Sequence, residues 1–330
     1  MTQQAVIIGA GIAGLISARR LQKQGWQVTL LEKSKGYGGR LATRRIGEAV
    51  FDHGAQAFTV HSIFFRSLTE QMQDEGLVKD WCRGFLNADR QLSLDGYLRF
   101  YAVQGMSSLA KYVGRELDIR LHEKVLGLRS VSGRWQVMCE SGLQLEADAV
   151  ILTPPLPQAL QLVKKIDNLG LTPEIWERLH AVKYDPCLAV MAVLDGPSGL
   201  PEPGGLASTD PMSPIKWIAD NRQKGISSQE AVTIHGTAHF SRSHWKTERE
   251  AAGQKLWQAA QGTYIQANAL ELQTHGWRYA QVTNPLESNS LMLNQSPPLL
   301  LAGDAFGSLQ HPIEGAALSG LDAAQKLLKL

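Results

Sequence analysis

The hexapeptide Gly9-Ala10-Gly11-Ile12-Ala13-Gly14 directly follows the apolar run Ala5-Val6-Ile7-Ile8, and an acid, Glu32, comes eighteen residues after Gly14. Glycines at this spacing bring backbone N–H groups up to a phosphate. Gly9 permits a tight turn, Gly11 opens a helix start to a pyrophosphate, and Gly14 lets helix and strand pack closely. Glu32 suits an adenosine ribose 2′-hydroxyl, and its charge disfavours a 2′-phosphate. Ile12, Ala13 and Lys33 complete this cofactor-binding set. A second glycine group, Gly36-Tyr37-Gly38-Gly39-Arg40-Leu41-Ala42-Thr43-Arg44, offers a loop able to lie along a cofactor, with Arg40 available to pair with pyrophosphate charge. A plain nicotinamide dehydrogenase does not need that loop.

These residues require particular elements to hold them. Residues 5–8 read as a buried strand, and Leu15, Ala18 and Leu21 among polar neighbours read as an amphipathic helix ended by Gly25. Trp26 to Leu31 is a second strand, closed by Glu32, which completes the order of a dinucleotide-binding βαβ unit. Near the other end, Pro298 to Ala302 reads as a buried strand ended by Gly303-Asp304, and Glu314-Gly315-Ala316-Ala317 begins a helix running to Leu328. Small residues at such a helix start expose N–H donors toward negative charge.

Together the GxGxxG turn, the acid ending the second strand and the Gly-Gly-Arg loop resemble the flavin-containing amine oxidase superfamily. Phe51-Asp52-His53-Gly54-Ala55-Gln56-Ala57-Phe58-Thr59 is similar to its renalase-like branch, where Gly-Gly-Arg is followed by an Ala-Thr pair and then D-x-G-A-Q. The resemblance implies an α/β fold: a Rossmann-like FAD-binding domain of the p-hydroxybenzoate hydroxylase and amine oxidase type, with an interleaved α+β substrate domain. It implies that Ala55 and Gln56 touch FAD, that Val125 contacts adenine through its backbone, and that Asp304 binds the ribityl chain or its adjoining phosphate. No attachment cysteine of the Gly-Gly-Cys type occurs near the C-terminus, so FAD is expected to be non-covalent. His53 is a tempting acid–base candidate, but a histidine in a glycine turn is more often structural, and no catalytic residue is assigned.

The expected layout is a discontinuous FAD domain over 1–60, 104–156 and 291–330, with a substrate domain over 61–103 and 157–290. Strands are expected over 119–128, 135–140 and 145–155, around 187–194 and around 232–239. Helices are expected near 62–76 and 246–268, and residues 196–214 read as a loop. Lys216 to Asn221 and His275 to Ala280 resemble two renalase-family signatures. Four of the eight tryptophans fall between 217 and 277, which makes His244, Trp245, Trp277 and Tyr279 candidates for lining a substrate pocket. Arg278 is left between an anionic substrate and a carboxylate partner. Many amine oxidases hold a lysine near the flavin; here Pro186 stands in register, with Lys183 three residues away.

Composition agrees with a small-molecule enzyme. Across 330 residues, 33 Lys+Arg against 31 Asp+Glu leave a charge of +2, which disfavours a nucleic-acid binder. Three cysteines without a CxxC pair suggest neither a disulfide framework nor a zinc site, and no metal-ligand spacing appears. The longest apolar run, Cys187 to Leu194, is eight residues, and no secretory leader opens the chain, so a cytoplasmic protein without membrane association is expected. The implied reaction is hydride transfer from a dihydropyridine donor such as a mis-reduced NAD(P)H isomer to flavin N5, with O2 reoxidation to H2O2. The alternatives are an amine oxidase or desaturase acting on an amine or hydrophobic substrate, and an FAD-binding redox protein without turnover. Donor identity and oligomeric state are not legible.

Overall fold

A computed structural model describes residues 2–167, 169–210 and 212–330. The N-terminal half runs β1 (Gln4–Ile8), α1 (Ile12–Gln22), β2 (Gln27–Leu31), β3 (Thr43–Ile46), β4 (Ala49–Asp52), α2 (Ile63–Asp74), β5 (Val78–Leu86), β6 (Leu92–Ala102), α3 (Ser107–Val113), β7 (Asp118–Arg120), β8 (Val125–Val131), β9 (Arg134–Cys139), β10 (Gln144–Ala147), β11 (Ala149–Leu152) and α4 (Leu156–Val163). The remainder runs α5 (Pro173–Ala181), β12 (Tyr184–Leu194), β13 (Gly205–Ala207), β14 (Ile215–Asp220), β15 (Ala231–Gly236), α6 (Ala238–Ser243), α7 (Arg249–Ala260), β16 (Ala269–Val282), β17 (Leu291–Gln295), β18 (Pro298–Leu301) and α8 (Pro312–Leu327). No helix among the described residues is long and apolar enough to cross a membrane.

Two compact units result, one from residues up to Gly39, Leu109–Lys183 and Val282–Leu330, the other from Arg40–Ser108 and Tyr184–Gln281. The first carries a six-stranded sheet in the order β17-β18-β11-β1-β2-β7. Its strands are parallel except for β17, which pairs antiparallel with β18. Leu30, Ile7, Ile151 and Leu300 stand in register across the sheet, all fully buried. Apolar strands without alternation are what a parallel sheet covered on both faces requires. Helices α1 and α8 meet closely: Ser17 Oγ donates to the Gly320 carbonyl at 2.8 Å, and a Cβ on Gly320 would lie 2.1 Å from the Ala13 carbonyl. An antiparallel three-stranded sheet, β10-β9-β8, belongs to the same unit.

The second unit is built on a seven-stranded sheet in the order β16-β12-β15-β14-β13-β5-β6. Alternation along β12 divides its faces. Leu188, Val190 and Ala192 point into a core with Leu256 and Trp257 of α7, whereas Met191 packs with Ile46, Ala49 and Phe51 of the β3–β4 hairpin. That packing explains why residues 40–60, expected with the termini, group with the second unit, as do 104–108. Residues 157–183 and 282–290, expected in the substrate domain, group with the first unit.

Several elements differ from expectation. The helix expected over 246–268 ends at Ala260, where Gly262 adopts φ +76°. The strand expected over 119–128 breaks into β7 and β8 around His122, at φ +60°. The strand expected over 145–155 is two, β10 and β11, and the loop over 196–214 contains β13. The β5–β6 pair was not anticipated. Its strands carry charged residues, and Leu92, Leu94 and Tyr97 are exposed, so no apolar alternation marks them.

Candidate functional site

In the first unit, β1 delivers the chain into Gly9 at φ +95°, and α1 begins at Ile12 behind Gly11. No side chain caps this helix and no acid lies in its first turn, so its leading N–H groups have no side-chain acceptor. The three glycines carry different constraints. A Cβ on Gly14 would sit 2.1 Å from the Gly9 carbonyl and one on Gly9 2.8 Å from Thr153 Oγ1, whereas one on Gly11 would meet no protein atom within 4 Å. Internal packing therefore accounts for Gly9 and Gly14 but not for Gly11. A ligand approaching the helix start accounts for it.

Glu32 is buried beside this turn. Its Oε2 accepts from the Ala10 N–H at 3.1 Å and its Oε1 from the Ser34 N–H at 2.9 Å, so lone pairs remain for hydroxyl donors. The Gly38 N–H donates to the Ala10 carbonyl at 2.8 Å, and a Cβ on Gly39 would lie 3.7 Å from the Gly11 Cα, which places the second glycine group along the first. Lys33 Nζ donates to Gln158 Oε1 at 3.0 Å, and Val125 opens β8 opposite Cys139. Across the sheet, Gly303 at φ +125° turns the chain after β18, held by its N–H donating to Ser319 Oγ at 2.8 Å, and Asp304 follows. Glu314, Gly315, Ala316 and Ala317 lie in the first turns of α8, all buried. These residues fit a dinucleotide: an uncapped helix start, an unfilled glycine position and a buried acid share one edge.

In the second unit, the Ala55 N–H donates to the Arg40 carbonyl at 2.9 Å, and a Cβ on Gly54 would lie 2.1 Å from that same oxygen, so the Asp52–Gln56 turn closes onto Arg40. Arg40 Nη1 donates to the Tyr279 and Ala280 carbonyls, and Leu41 is buried. Gln56 donates through Nε2 to the Asp52 and Gly54 carbonyls, leaving its buried Oε1 without a partner among the described residues. Asp52 is fully buried. Its Oδ1 accepts from Thr43 Oγ1 and the Met106 N–H, each at 2.7 Å, and its Oδ2 pairs with Lys224 Nζ at 2.7 Å. Lys224 reaches the core because Asp220 builds a turn, accepting from the Arg222 and Gln223 N–H groups at 2.9 Å, and the Lys224 N–H then donates to the Asp220 carbonyl at 3.0 Å.

His53 is 4% exposed, and its carbonyl accepts from Trp277 Nε1 at 2.8 Å while lying 3.2 Å from His235 Nε2. Its ring stacks on Trp277 at 5.3 Å and meets His275 edge-on at 5.0 Å. Burial is the main cause lowering all three imidazoles, His53 to about 3 and His235 and His275 to about 4; His275, Arg44 and His235 add to it for His53, and Arg44 and Arg249 for His275. They are neutral at physiological pH. Burial also pushes the Cys187 thiol up to about 12, and no group of three metal-ligating side chains occurs among the described residues.

The sequence-derived pocket candidates separate. Trp277 joins His53, and Trp245 carries the Arg249 guanidinium 4.8 Å above its ring. Tyr279 meets Tyr184 edge-on at 5.5 Å, and Arg278 is exposed. His244 ends α6, stacked on Phe240 with Nδ1 3.0 Å from that residue's carbonyl, which is a local role. Sequence reasoning missed Lys224 as the partner of Asp52, and His235 and His275 as the neighbours of His53. The His275-Gly276-Trp277 signature was the available signal for the last.

A parallel sheet bearing an uncapped glycine turn, a ribose-type acid and a returning strand and helix defines a dinucleotide-binding oxidoreductase fold. Residues 80–328 match the family of flavin containing amine oxidoreductases, and residues 7–70 match an NAD(P)-binding Rossmann-like domain. The chain belongs to the flavin-containing amine oxidoreductase family and is a renalase-like, FAD-dependent oxidoreductase. It is 27% identical to renalase of Mus musculus over a 347-residue alignment covering 99% of this chain and 98% of renalase. It is also 47% identical over 58 residues to 1-hydroxycarotenoid 3,4-desaturase of Flavobacterium sp. (strain P99-3), covering 18% of this chain and 12% of that enzyme. Among solved structures, putrescine oxidase bound to putrescine superposes with a TM-score of 0.73 at 13% identity over 100% of both chains. The CLA-producing fatty acid isomerase from P. acnes superposes with a TM-score of 0.63 at 13% identity over 84% of this chain and 86% of that one. Those two likenesses concern the fold.

Proposed function

We propose that this chain is an oxidase of mis-reduced NAD(P)H isomers, taking a hydride from a dihydropyridine donor and returning the electrons to O2 as H2O2. The observation that carries the reading is the chemistry withheld beside His53: three imidazoles held neutral, His53 itself buried and His235 and His275 half-buried, a lysine already paired with Asp52, and, elsewhere in the same unit, a Cys187 thiol raised to about 12. None of these is poised near neutral pH for acid–base or nucleophilic work. A dihydropyridine loses hydride to become aromatic and needs orientation and a dry surrounding rather than a base. The overall change balances as dihydropyridine plus O2 plus one proton giving the aromatic pyridinium and H2O2.

FAD, bound non-covalently, supplies the two-electron acceptor. The chain's part is to hold it and seat the donor. Gly9, Gly11, Ile12, Ala13 and Gly14 would present N–H groups to the pyrophosphate, Glu32 and Lys33 would flank the adenosine ribose, and Val125 would meet adenine. Gly38, Gly39, Arg40 and Leu41 would lie along the phosphates, and Ala55 and Gln56 along the flavin, where the unpartnered Gln56 Oε1 can accept a ring N–H. Gly303, Asp304, Glu314, Gly315, Ala316 and Ala317 would take the ribityl chain and the pyrimidine edge. A cytoplasmic location accords with this donor. Steady-state H2O2 formation tests the reading: one H2O2 per mis-reduced isomer consumed is expected, and turnover of amines alone would replace it with the amine oxidase reading.

A further inference from the structure

Thr153 is the first residue past β11, and β11 lies between β1 and β18 in the parallel sheet. The two glycine turns that leave this edge, at Gly9 after β1 and at Gly303 after β18, therefore flank it. The contacts follow the topology. Thr153 Oγ1 lies 2.9 Å from both the Ile8 and Gly9 carbonyls, to which it donates, and the Thr153 N–H donates to the Ile8 carbonyl at 2.9 Å. On the other side a Cβ on Gly303 would come within 3.3 Å of the Thr153 carbonyl, and the Ala302 N–H donates to the Leu152 carbonyl at 2.9 Å.

The hydroxyl completes a set of ties on one short stretch. The Gly9 N–H donates to the Leu31 carbonyl at 2.8 Å, the Ala10 N–H donates to Glu32 Oε2 at 3.1 Å, and the Ala10 carbonyl accepts from the Gly38 N–H at 2.8 Å. Thr153 holds the remaining group, the Gly9 carbonyl. That carbonyl occupies the space of a Gly14 side chain: a Cβ on Gly14 would lie 2.1 Å from it and 3.0 Å from Thr153 Oγ1. With its own polar groups engaged, the turn at Gly9, φ +95°, leaves the first N–H groups of α1 as those without a side-chain acceptor. A turn fixed before binding does not have to be ordered by its ligand, so bracing of this kind is read out as affinity.

We propose that Thr153 is a positioning residue for the cofactor, its hydroxyl holding the Gly9 carbonyl so that the first N–H groups of α1 face the pyrophosphate. The proposal rests on reading that turn as the pyrophosphate seat, and not on the identity of the electron donor. Valine has the shape of threonine but sets a methyl group where the hydroxyl donates, which leaves the Gly9 carbonyl without that donor. Serine keeps the donor.

The rate of FAD release from the loaded protein, read as recovery of flavin fluorescence on dilution well below the melting temperature, tests this without turnover. Release faster by about fivefold or more is expected from Thr153→Val, and Thr153→Ser should return the rate to within about twofold of wild type. Thr153→Ala, which removes the hydroxyl without setting a methyl group against the carbonyls, is expected to act as valine does and stands in for it should that variant not fold. Ser290→Ala removes a buried hydroxyl of the same unit that donates to Asp322 in α8, and is expected to lower the unfolding midpoint without hastening release. A wild-type rate from Thr153→Val and Thr153→Ala, no recovery with Thr153→Ser, or equal acceleration in Ser290→Ala overturns the proposal. Gly11→Ala separates it from the reading beneath it. Release hastened by Gly11→Ala but not by Thr153→Val or Thr153→Ala leaves the pyrophosphate seat standing and removes the brace, whereas a wild-type rate in Gly11→Ala removes the seat and the brace with it.

Discussion

Lys224 Nζ lies 2.7 Å from Asp52 Oδ2, and both side chains are 0% exposed. Lys224 also sits 5.1 Å from the centre of the Trp81 ring. Burial pulls the lysine below its usual range and the Asp52 charge opposes that pull. With Thr43 and the Met106 N–H on its other oxygen, Asp52 ties the β3–β4 hairpin to the entry of α3 and to the turn after β14. The lysine is a structural tie for the Asp52–Gln56 turn.

Removing one partner leaves the other buried and uncompensated. Lys224→Met is expected to destabilise the protein by about 3–5 kcal/mol in denaturant unfolding, whereas Lys224→Met with Asp52→Asn loses much less than the sum of the single changes. A loss below about 1 kcal/mol for Lys224→Met would show the pair to be hydrated.

Gly11 and Gly14 are expected to respond oppositely to one added methyl group. Gly14→Ala forces a Cβ to 2.1 Å from the Gly9 carbonyl and should destabilise the fold by at least about 1–3 kcal/mol, the range of overpacking. Gly11→Ala has backbone φ −77° and no protein atom to strike, so melting of the FAD-free protein should stay near wild type while FAD affinity falls. Equal FAD affinity in Gly11→Ala and wild type would move the pyrophosphate away from this turn.

Glu32→Ala removes the acceptor for the Ala10 and Ser34 N–H groups as well as the proposed ribose contact. FAD should dissociate at least about tenfold more readily, a loss of about 1.4 kcal/mol or more, while the reduction rate of the loaded fraction changes little. Unchanged FAD retention on gel filtration would misplace the ribose acid.

Acid stability follows from the histidines. His53, His235 and His275 sit below the unfolded value of 6.5, so between pH 6.5 and about 4 the unfolded chain binds up to three more protons than the folded one. The stability they contribute is present above pH 6.5 and lost as pH falls. The slope of unfolding free energy against pH near 5 should flatten by about one proton in His235→Asn, and an unchanged slope would mean that His235 is already protonated in the folded protein.

What the sequence made legible was local. Gly9 to Gly14, the apolar strand before them and Glu32 lie within one βαβ unit, where spacing and geometry are the same information. Gly303 and Glu314 were readable for the same reason. Lys224 was not: Asn221-Arg222-Gln223-Lys224-Gly225 looks like a solvated turn, and only the Asp220 turn and the distant Asp52 bury it. Nor could Arg249 be assigned to Gly276, because the missing side chain that receives the guanidinium lies on another element. Aromatic and histidine clustering in sequence does not say which face of α6 the His244 ring takes; it stacks on Phe240.

The central claim is the donor, and anaerobic rapid mixing of the FAD-loaded protein with mis-reduced NAD(P)H isomers, alongside ordinary NAD(P)H and a panel of amines, tests it most directly. The flavin absorbance near about 450 nm should bleach in a single turnover with the isomers and not with amines, releasing oxidised pyridine nucleotide in equal amount. Bleaching by amines and not by the isomers would contradict the account.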